Sequence, residues 1–436
     1  MAQTRSNLYA ILRPWIGAGI KVFCKRIVAI HVERIPKNKK VILISNHQNA
    51  LLDPLMGCIF STRQLHWLTR ADVFKIPAVA KILAKFNMLP VYRERDKVPG
   101  IIDKNEQIFR ECHARIDAGA MISLFPEGTH RGKKHIFQLK KGIGRLAFGA
   151  IESGIDPKDI LIMPMGLDYS DFFHYHPEVV VNFGKPFSID QFYATATTDL
   201  NKGIIELLEE CKAQLSRLVI DIRSEEGYED LVYLRSLCFA ISEKQDLKNQ
   251  FFYYQAFIEK VQRHPKLDAI IELSHEYRKF CEKHRIQEFA AAENHSLAAS
   301  FLKLGLLFPF YLIGRIFFLP IEKLVEGFVR VKIQDPLFKN SIRVAFWTFL
   351  TPIYALIVAS ITSLFFEKSI LTFFYILGGS LITGLLAKRW VLLKKDTLAL
   401  LDFRQFKNSA GTKYQEFTTL RNELIKAIKN IHNSHV

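Results

Sequence analysis

A histidine and an aspartate stand close together in the segment VILISNHQNALLDPL, which covers residues 41–55. His47 and Asp53 follow an apolar run that is typical of a buried strand. A carboxylate bonded to one imidazole nitrogen fixes the tautomer of the ring and leaves the other nitrogen as a base. A neutral imidazole near pH 7 can take a proton from an incoming hydroxyl group. The two residue types therefore suggest general base catalysis.

Contact between these two side chains requires the chain to turn. On a regular helix, residues six positions apart lie about 9 Å apart along the axis and on different faces. The polar residues around His47 tolerate a turn: Asn46, Gln48 and Asn49. A structural alternative stays open at this point, in which His47 only caps the helix that follows.

A basic run lies further along the chain, from Arg131 to Arg145. It holds six cations and no acid: Arg131, Lys133, Lys134, Lys140, Lys141 and Arg145. Near a candidate base, such a run is a plausible anchor for a substrate phosphate, with Arg131 and Lys141 as candidate binding residues. The alternative is a solvated face that touches anionic lipid.

Motifs of several other enzyme classes are absent from the sequence. It contains no G-x-S-x-G of serine hydrolases, no H-E-x-x-H of zinc enzymes and no P-loop. His174 and His176 lack a third residue at a spacing suited to metal binding. We therefore expect neither a metal nor a bound cofactor.

Composition narrows the class of partner. The chain has 436 residues, a formal net charge of +17 and 35 phenylalanines. A basic balance of this size favours an anionic partner, and the Phe-rich apolar runs favour phospholipid over nucleic acid. The six cysteines are scattered without a C-x-x-C, which predicts free thiols in a reducing compartment.

The order of patterns along the chain predicts several regions. Residues 1–30 mix apolar side chains with frequent cations, which predicts an interfacial amphipathic segment or, alternatively, a buried first helix. Residues 31–198 alternate strand-like and helical segments, as in an α/β domain whose mixed sheet has helices on both faces. Residues 199–300 read as helical and suggest either an insert or a partner-docking surface.

The region 301–395 carries the membrane signal. Residues 344–366 and 369–387 are free of charge and long enough to span a bilayer as a transmembrane helical hairpin. The shorter run 304–319 contains Arg315, so we expect it to lie in the interface or to be re-entrant. Cations flank the hairpin on its outer ends, which places the catalytic domain on the cytoplasmic face. Residues 396–436 form a polar helical tail.

Four blocks of sequence resemble the motifs of the glycerolipid acyltransferase family, which includes 1-acylglycerol-3-phosphate and glycerol-3-phosphate acyltransferases. The resemblance covers roughly residues 35–190, and its blocks are NHQNALLD, LPVYRERD, LFPEGTHRGKK and LIMPMGLD. It implies that His47 is the general base on the acceptor hydroxyl and that Asp53 orients it. It further implies that Arg93 holds the acceptor phosphate.

The remaining blocks imply further roles. Glu127, Gly128 and Thr129 would lie at the acceptor site, and Pro164 would shape the acyl-donor side. Two departures from the family pattern stand out. Five residues separate His47 from Asp53 where the family usually has four, and His130 stands where the family has arginine, with Arg131 next to it.

The resemblance therefore implies a membrane-bound O-acyltransferase. It would move a fatty acyl group from acyl-CoA or acyl carrier protein to a hydroxyl of 1-acylglycerol 3-phosphate, a lysophospholipid. Glycerol 3-phosphate is the alternative acceptor. A non-catalytic membrane scaffold is the alternative of another class, and the intact His47, Arg93 and Glu127 argue against it.

Overall fold

An eight-stranded sheet forms the centre of the N-terminal part of the chain. In chain order its strands are β1 (Arg26–Ile30), β2 (Lys40–Ser45), β3 (Leu65–Arg70), β4 (Leu89–Val91), β5 (Met121–Leu124), β6 (Ile160–Tyr169), β7 (Glu178–Phe183) and β8 (Phe187–Ser188). The spatial order is β1-β7-β6-β2-β5-β3-β4, with β8 paired to β6. Pairing is parallel except for β6 with β7 and β6 with β8. The sheet is therefore mixed, as predicted.

The computed structural model describes residues 7–93, 96–174, 176–242, 245–292, 296–365 and 370–434. It divides into two compact units. The first comprises Met1–Asp221 with Asp335–Ser341, and the second comprises Ile222–Gln334 with Ile342–Val436. The helices of the first unit are α1 (Asn7–Phe23), α2 (Leu52–Phe60), α3 (Pro77–Lys85), α4 (Ile101–Asp117), α5 (Gly142–Glu152), α6 (Asp190–Ala196) and α7 (Leu200–Ser216).

Both faces of the central strand β2 are buried, because successive side chains along it point to opposite sides and all of residues 41–45 are buried. Ile42 and Ile44 belong to a core with residues of α4, α5 and α7. On α2, the Gly57 backbone packs so closely against Leu65, Trp67 and Met165 that an added Cβ would lie 2.9 Å from the Trp67 ring. Apolar residues at successive positions of a strand point to opposite faces, so helices cover both faces and the predicted fold class is confirmed.

Two predicted boundaries differ from the structure. Residues 26–30 were expected to continue the N-terminal helix, but they form β1, which pairs with β7 through the β-branched run RIVAI. The first compact unit also extends beyond residue 198 to Asp221, because α7 buries Ile204, Leu207 and Cys211 in the core of the sheet domain. Helix α1 itself has Ile20 buried while Ile11 is 69% exposed, so it presents an apolar side outward.

The second unit is helical. Its helices are α8 (Tyr228–Ile241), α9 (Leu247–Val261), α10 (Leu267–His284), α11 (Glu288–Ala292), α12 (Leu297–Lys332), α13 (Pro336–Phe365), α14 (Ile370–Ser409) and α15 (Gly411–Asn433), with the first residues of α13 assigned to the first unit. The amphipathic pattern predicted for the tail is present in α15, which buries Phe417, Leu424, Ile428 and Ile431. All six cysteines are free, as expected.

Three helices of the described chain are long and apolar enough to cross a membrane by length and composition: α12, α13 and α14. Residues 344–365 and 370–387 of the two predicted spans fall within α13 and α14. The end residues 366 and 369 and the predicted break at residues 367–368 lie outside the described residues. The run 304–319 is part of the unbroken helix α12, where the sequence favoured a shorter interfacial or re-entrant segment. In α12, the guanidinium of Arg315 pairs with Glu322.

Candidate active site

His47 and Asp53 are in contact. The ring Nδ1 of His47 lies 2.8 Å from Oδ2 of Asp53, which is fully buried in the first turn of α2. The loop between them turns so that the backbone N–H groups of Gln48 and Asn49 each donate to the same carboxylate oxygen at 2.7 Å. Five intervening residues therefore still allow the pair. The alternative role for His47, as a helix cap, does not match these contacts.

The second oxygen of Asp53 accepts a hydrogen bond from the hydroxyl group of Tyr169 at 2.7 Å. Burial, together with the adjacent carboxylate, raises the pKa of Tyr169 well above its usual value, so the phenol stays a donor. Because Asp53 is an acceptor for four donors, it is held as a carboxylate that receives the Nδ1–H of His47. The ring nitrogen left for chemistry is Nε2.

Aromatic rings fix the plane of the imidazole. The His47 ring stacks on Phe125 with centroids 4.0 Å apart and an interplanar angle of 12°. Phe125 in turn stacks on the buried Trp67 at 4.9 Å. The ring of His130 approaches His47 edge-on at 5.4 Å. The side chain of His47 keeps 15% of its surface exposed, so the ring is held firmly and remains accessible.

The backbone around His47 is held by two further side chains. Asn46 uses both ends of its amide to bind the backbone of Leu167, with its Nδ2 donating at 2.9 Å and its Oδ1 accepting at 2.8 Å. Glu127 accepts from the backbone N–H of His47 at 2.9 Å and from that of Phe137 at 3.3 Å. Burial raises the pKa of Glu127, although these two N–H groups oppose the shift. Glu127 thus holds the backbone of His47 in place by a hydrogen bond and does not contact the imidazole ring through it.

The third sequence block forms the loop that carries these contacts. Gly128 has a φ of 72° and its N–H donates to the carbonyl of Phe125 at 3.0 Å, which explains the glycine. Thr129 is half-buried between Gly128 and His130. The N–H of Arg131 donates to the carbonyl of His47 at 3.0 Å, which closes the loop onto the first block.

Three members of the basic run make separate contacts. Lys134 is buried and its ammonium group pairs with Asp168 and donates to the carbonyl of Tyr169 at 2.6 Å. The exposed Arg131 stacks on Phe137 at 4.2 Å, while the exposed Lys141 lies 3.2 Å from the amide oxygen of Asn201. Lys134 is therefore turned inward, whereas Arg131 and Lys141 stay at the surface.

Arg93 belongs to a cluster of alternating charges. Its Nη2 lies 2.8 Å from Asp96 and 3.6 Å from Asp72, and Asp72 also pairs with Arg70. The carboxylates of Asp72, Asp96 and Asp335 all interact favourably with Arg70 and raise its pKa, against the effect of partial burial. Arg93 is 20% exposed and is engaged by carboxylates where the resemblance implies a phosphate. Glu94 and Arg95 lie outside the described residues.

Pro164 lies buried in β6, opposite Ile44 of β2, and its carbonyl accepts from Gly184 at 2.8 Å. Several further residues at the site had been given no role from the sequence: Phe125, Trp67, Tyr169, Asp168 and Asp335. Lys134 had been predicted only as a member of the basic run. The position of Tyr169 could have suggested a role at the site, since it directly follows the fourth block at the end of a strand. The position of Asp335 could not, because 205 positions separate it from its partner His130.

The chain is similar to several known proteins. The model of the Acyltransferase family matches residues 26–168. The chain is 26% identical over 117 residues to an uncharacterised acyltransferase of Schizosaccharomyces pombe and 25% identical over 219 residues to tafazzin of Drosophila melanogaster. It is 22% identical over 104 residues to glycerol-3-phosphate O-acyltransferase 2 of Saccharomyces cerevisiae.

These matches are partial. They cover 26%, 48% and 24% of this chain, and 17%, 53% and 14% of the respective relatives. The crystal structure of PlsC, the 1-acyl-sn-glycerophosphate (LPA) acyltransferase from Thermotoga maritima, is similar with a TM-score of 0.35 and 19% identity, over 48% of this chain and 79% of that one. The model of the Acyltransferase family therefore matches the part of the chain that contains the His47–Asp53 pair and the four sequence blocks.

Proposed function

We propose that this protein is a membrane-bound O-acyltransferase that moves a fatty acyl group from a thioester donor to the free hydroxyl of 1-acylglycerol 3-phosphate. The observation that carries the proposal is the 2.8 Å contact of His47 Nδ1 with the buried Asp53, inside the region that the model of the Acyltransferase family matches. Three apolar helices of membrane-spanning length support the membrane assignment. The donor is acyl-CoA or acyl carrier protein, and the reaction needs no metal or bound cofactor.

In the proposed reaction, Nε2 of His47 takes the proton of the acceptor hydroxyl as its oxygen attacks the thioester carbonyl. The new C–O bond forms, the C–S bond breaks, and the imidazolium returns its proton to the departing thiolate. Asp53 stabilises the imidazolium through Nδ1 and fixes which nitrogen faces the substrate. No covalent intermediate with the protein is required.

The acceptor phosphate would be bound by the cluster around Arg93. Its guanidinium is already near Asp96 and Asp72, so a phosphate has to compete with or displace these carboxylates. Both 1-acylglycerol 3-phosphate and glycerol 3-phosphate carry the required phosphate. The exposed apolar side of α1 and the apolar helices favour an acceptor that lies in the bilayer. The catalytic domain would face the cytoplasm, because cations flank the ends of the helical pair.

Acyl transfer by purified protein in detergent, with each acceptor and each thioester donor supplied separately, tests the proposal. The wild type should acylate 1-acylglycerol 3-phosphate, and His47→Ala should lose about 10²–10⁴-fold in kcat. His174→Gln is the matched control, because its side chain is 80% exposed and pairs with Asp171 on the surface. Faster turnover of glycerol 3-phosphate would reassign the acceptor. An inactive wild type with all pairs of substrates would favour the scaffold.

A further inference from the structure

A short segment from outside the matched acyltransferase domain forms part of the first unit. Residues Asp335–Ser341 follow the apolar helix α12 and include the first residues of α13, yet they pack among residues of the sheet domain. Asn340 is buried and donates its amide to the carbonyls of Phe172 and His174 at 3.3 Å each. Leu337 is also buried and packs over Gly132 so closely that an added Cβ there would lie 2.9 Å from it.

This segment reaches the catalytic histidine through His130. Nε2 of His130 lies 2.8 Å from Oδ2 of Asp335, and the His130 side chain is only 10% exposed. The ring of Phe338 meets His130 edge-to-face at 5.1 Å. On its other side, His130 meets the ring of His47 at 5.4 Å and 74°. His130 is therefore clamped between the segment and the proposed base.

Neighbouring groups stabilise the negative charge of the Asp335 carboxylate. Partial burial opposes ionisation, but the hydrogen bonds from His130 and from the Leu337 N–H, with the nearby Arg70, lower the pKa of Asp335. Asp335 thus stays a carboxylate near neutral pH and can hold His130 by a charge-assisted hydrogen bond. Its interaction with Arg70 also places it next to the cluster that contains Arg93.

We propose that Asp335 is a positioning residue of the active site, which acts by holding His130 against the ring of His47. The imidazole of His47 is then restrained from three sides: by Asp53 at Nδ1, by Phe125 on its face and by the His130 edge. This inference rests on the proposed function of His47 as the base. It also explains why a histidine stands where related sequences place arginine, since an imidazole can bridge a carboxylate and a second ring.

A group that orients a base affects the rate of the chemical step more than substrate binding. Misplacement of a catalytic group by about 1 Å can cost on the order of 10²-fold in rate. We therefore expect Asp335→Ala to lower kcat about tenfold or more, while KM for acceptor and donor stays within about twofold. Asp335→Glu, which restores the carboxylate, should recover most of this loss. The matched control is Glu33→Gln, which removes the carboxylate of an exposed pair with His31.

The pair is tested further by combining variants. If Asp335 acts only through His130, the double variant Asp335→Ala/His130→Asn should be no slower than the slower single variant. If the fold-loss in kcat of the double variant equals the product of the two single losses, the two residues act independently and the proposal is overturned. An unchanged kcat with a raised acceptor KM would also overturn it, because Asp335 would then bind substrate. Melting temperatures identify any variant whose loss comes from unfolding.

A readout that does not depend on activity separates this inference from the proposed function. Diethyl pyrocarbonate modifies accessible neutral imidazoles, and tryptic peptides 41–63 and 116–131 each contain a single histidine, His47 and His130. Asp335→Ala should raise the modification rate at both by several-fold, whereas Glu33→Gln should change neither. Unchanged rates in Asp335→Ala would refute the contact even if the enzyme is active. Raised rates in a protein without transferase activity would reject the proposed function alone.

Discussion

The most connected side chain at the site is the carboxylate of Asp53. Its two oxygens accept from four donors: the Nδ1–H of His47, the N–H groups of Gln48 and Asn49, and the hydroxyl group of Tyr169. Such a carboxylate both shapes the loop and orients the imidazole. A single residue therefore links the stability of the site to its chemistry.

Asp53→Asn should damage both properties. Asparagine offers one acceptor oxygen and places an NH₂ group where donors already point, so at least one buried N–H or O–H group loses its acceptor. Each unsatisfied donor lowers the free energy of unfolding by about 1–3 kcal/mol. The loss in kcat should exceed 10²-fold, as the tautomer of His47 is no longer fixed. Steady-state kinetics and thermal unfolding measure the two effects.

Tyr169→Phe serves as the comparison for Asp53→Asn, because it removes only the hydroxyl donor and leaves the His47–Asp53 contact in place. It should lower kcat by less than about tenfold. If Asp53→Asn retained activity within a few-fold of the wild type, another group would have to orient the imidazole.

Local spacing made the first part of this site predictable. His47 and Asp53 lie on either side of one short turn, so the residue types suggested the pair, and the resemblance to the acyltransferase motifs supplied their roles. Glu127 was placed at the site by resemblance, but its bonds to the N–H groups of His47 and Phe137 depend on how two loops meet. Asp335 was not predictable, because nothing in a lone aspartate near the start of an apolar helix indicates a partner 205 residues away.

At the scale of elements, one internal ion pair fastens the third sequence block to strand β6. Lys134 and Asp168 are only 1% and 2% exposed, and Lys134 also donates to the carbonyl of Tyr169. The sequence suggested a solvated or phosphate-binding lysine here. The burial of Lys134 could not be predicted from the sequence, because nothing in a run of six cations indicates that one side chain points into the core.

Lys134→Met should strongly destabilise the first unit. Removing the ammonium group leaves the Asp168 carboxylate buried without its cation, which costs about 3–5 kcal/mol. The free energy of unfolding measures this loss. Lys39→Met is the matched control, since Lys39 pairs with Asp159 at the surface and should leave the melting temperature nearly unchanged. Equal stability of the two variants would contradict the role of Lys134.

The loop after β5 depends on one glycine in the left-handed region. Gly128→Ala should destabilise the loop by about 1–2 kcal/mol, because its φ of 72° is costly for a residue with a Cβ atom. Gly142→Ala is the comparison: Gly142 begins α5, and no atom lies within 4 Å of an added Cβ. That variant should be neutral or slightly stabilising. Thermal unfolding of both proteins checks the contrast.

At the scale of the whole molecule, the apolar helices give a test by cysteine labelling. If α13 and α14 form a spanning pair, Glu367→Cys should react from the side opposite to Lys395→Cys. Lys395 is exposed in the continuation of α14, and five of the six native cysteines are buried, which keeps the background low. Labelling of both positions from one side only would rule out the spanning pair.

The contact of Asp335 with His130 has a consequence for the sidedness of the chain. Two residues that are 2.8 Å apart in one compact unit lie on the same side of a bilayer. Gln334→Cys, next to Asp335, should therefore react with an impermeant thiol reagent from the same side as Lys39→Cys on the surface of the sheet domain. Labelling of the two positions from opposite sides would contradict the contact between Asp335 and His130.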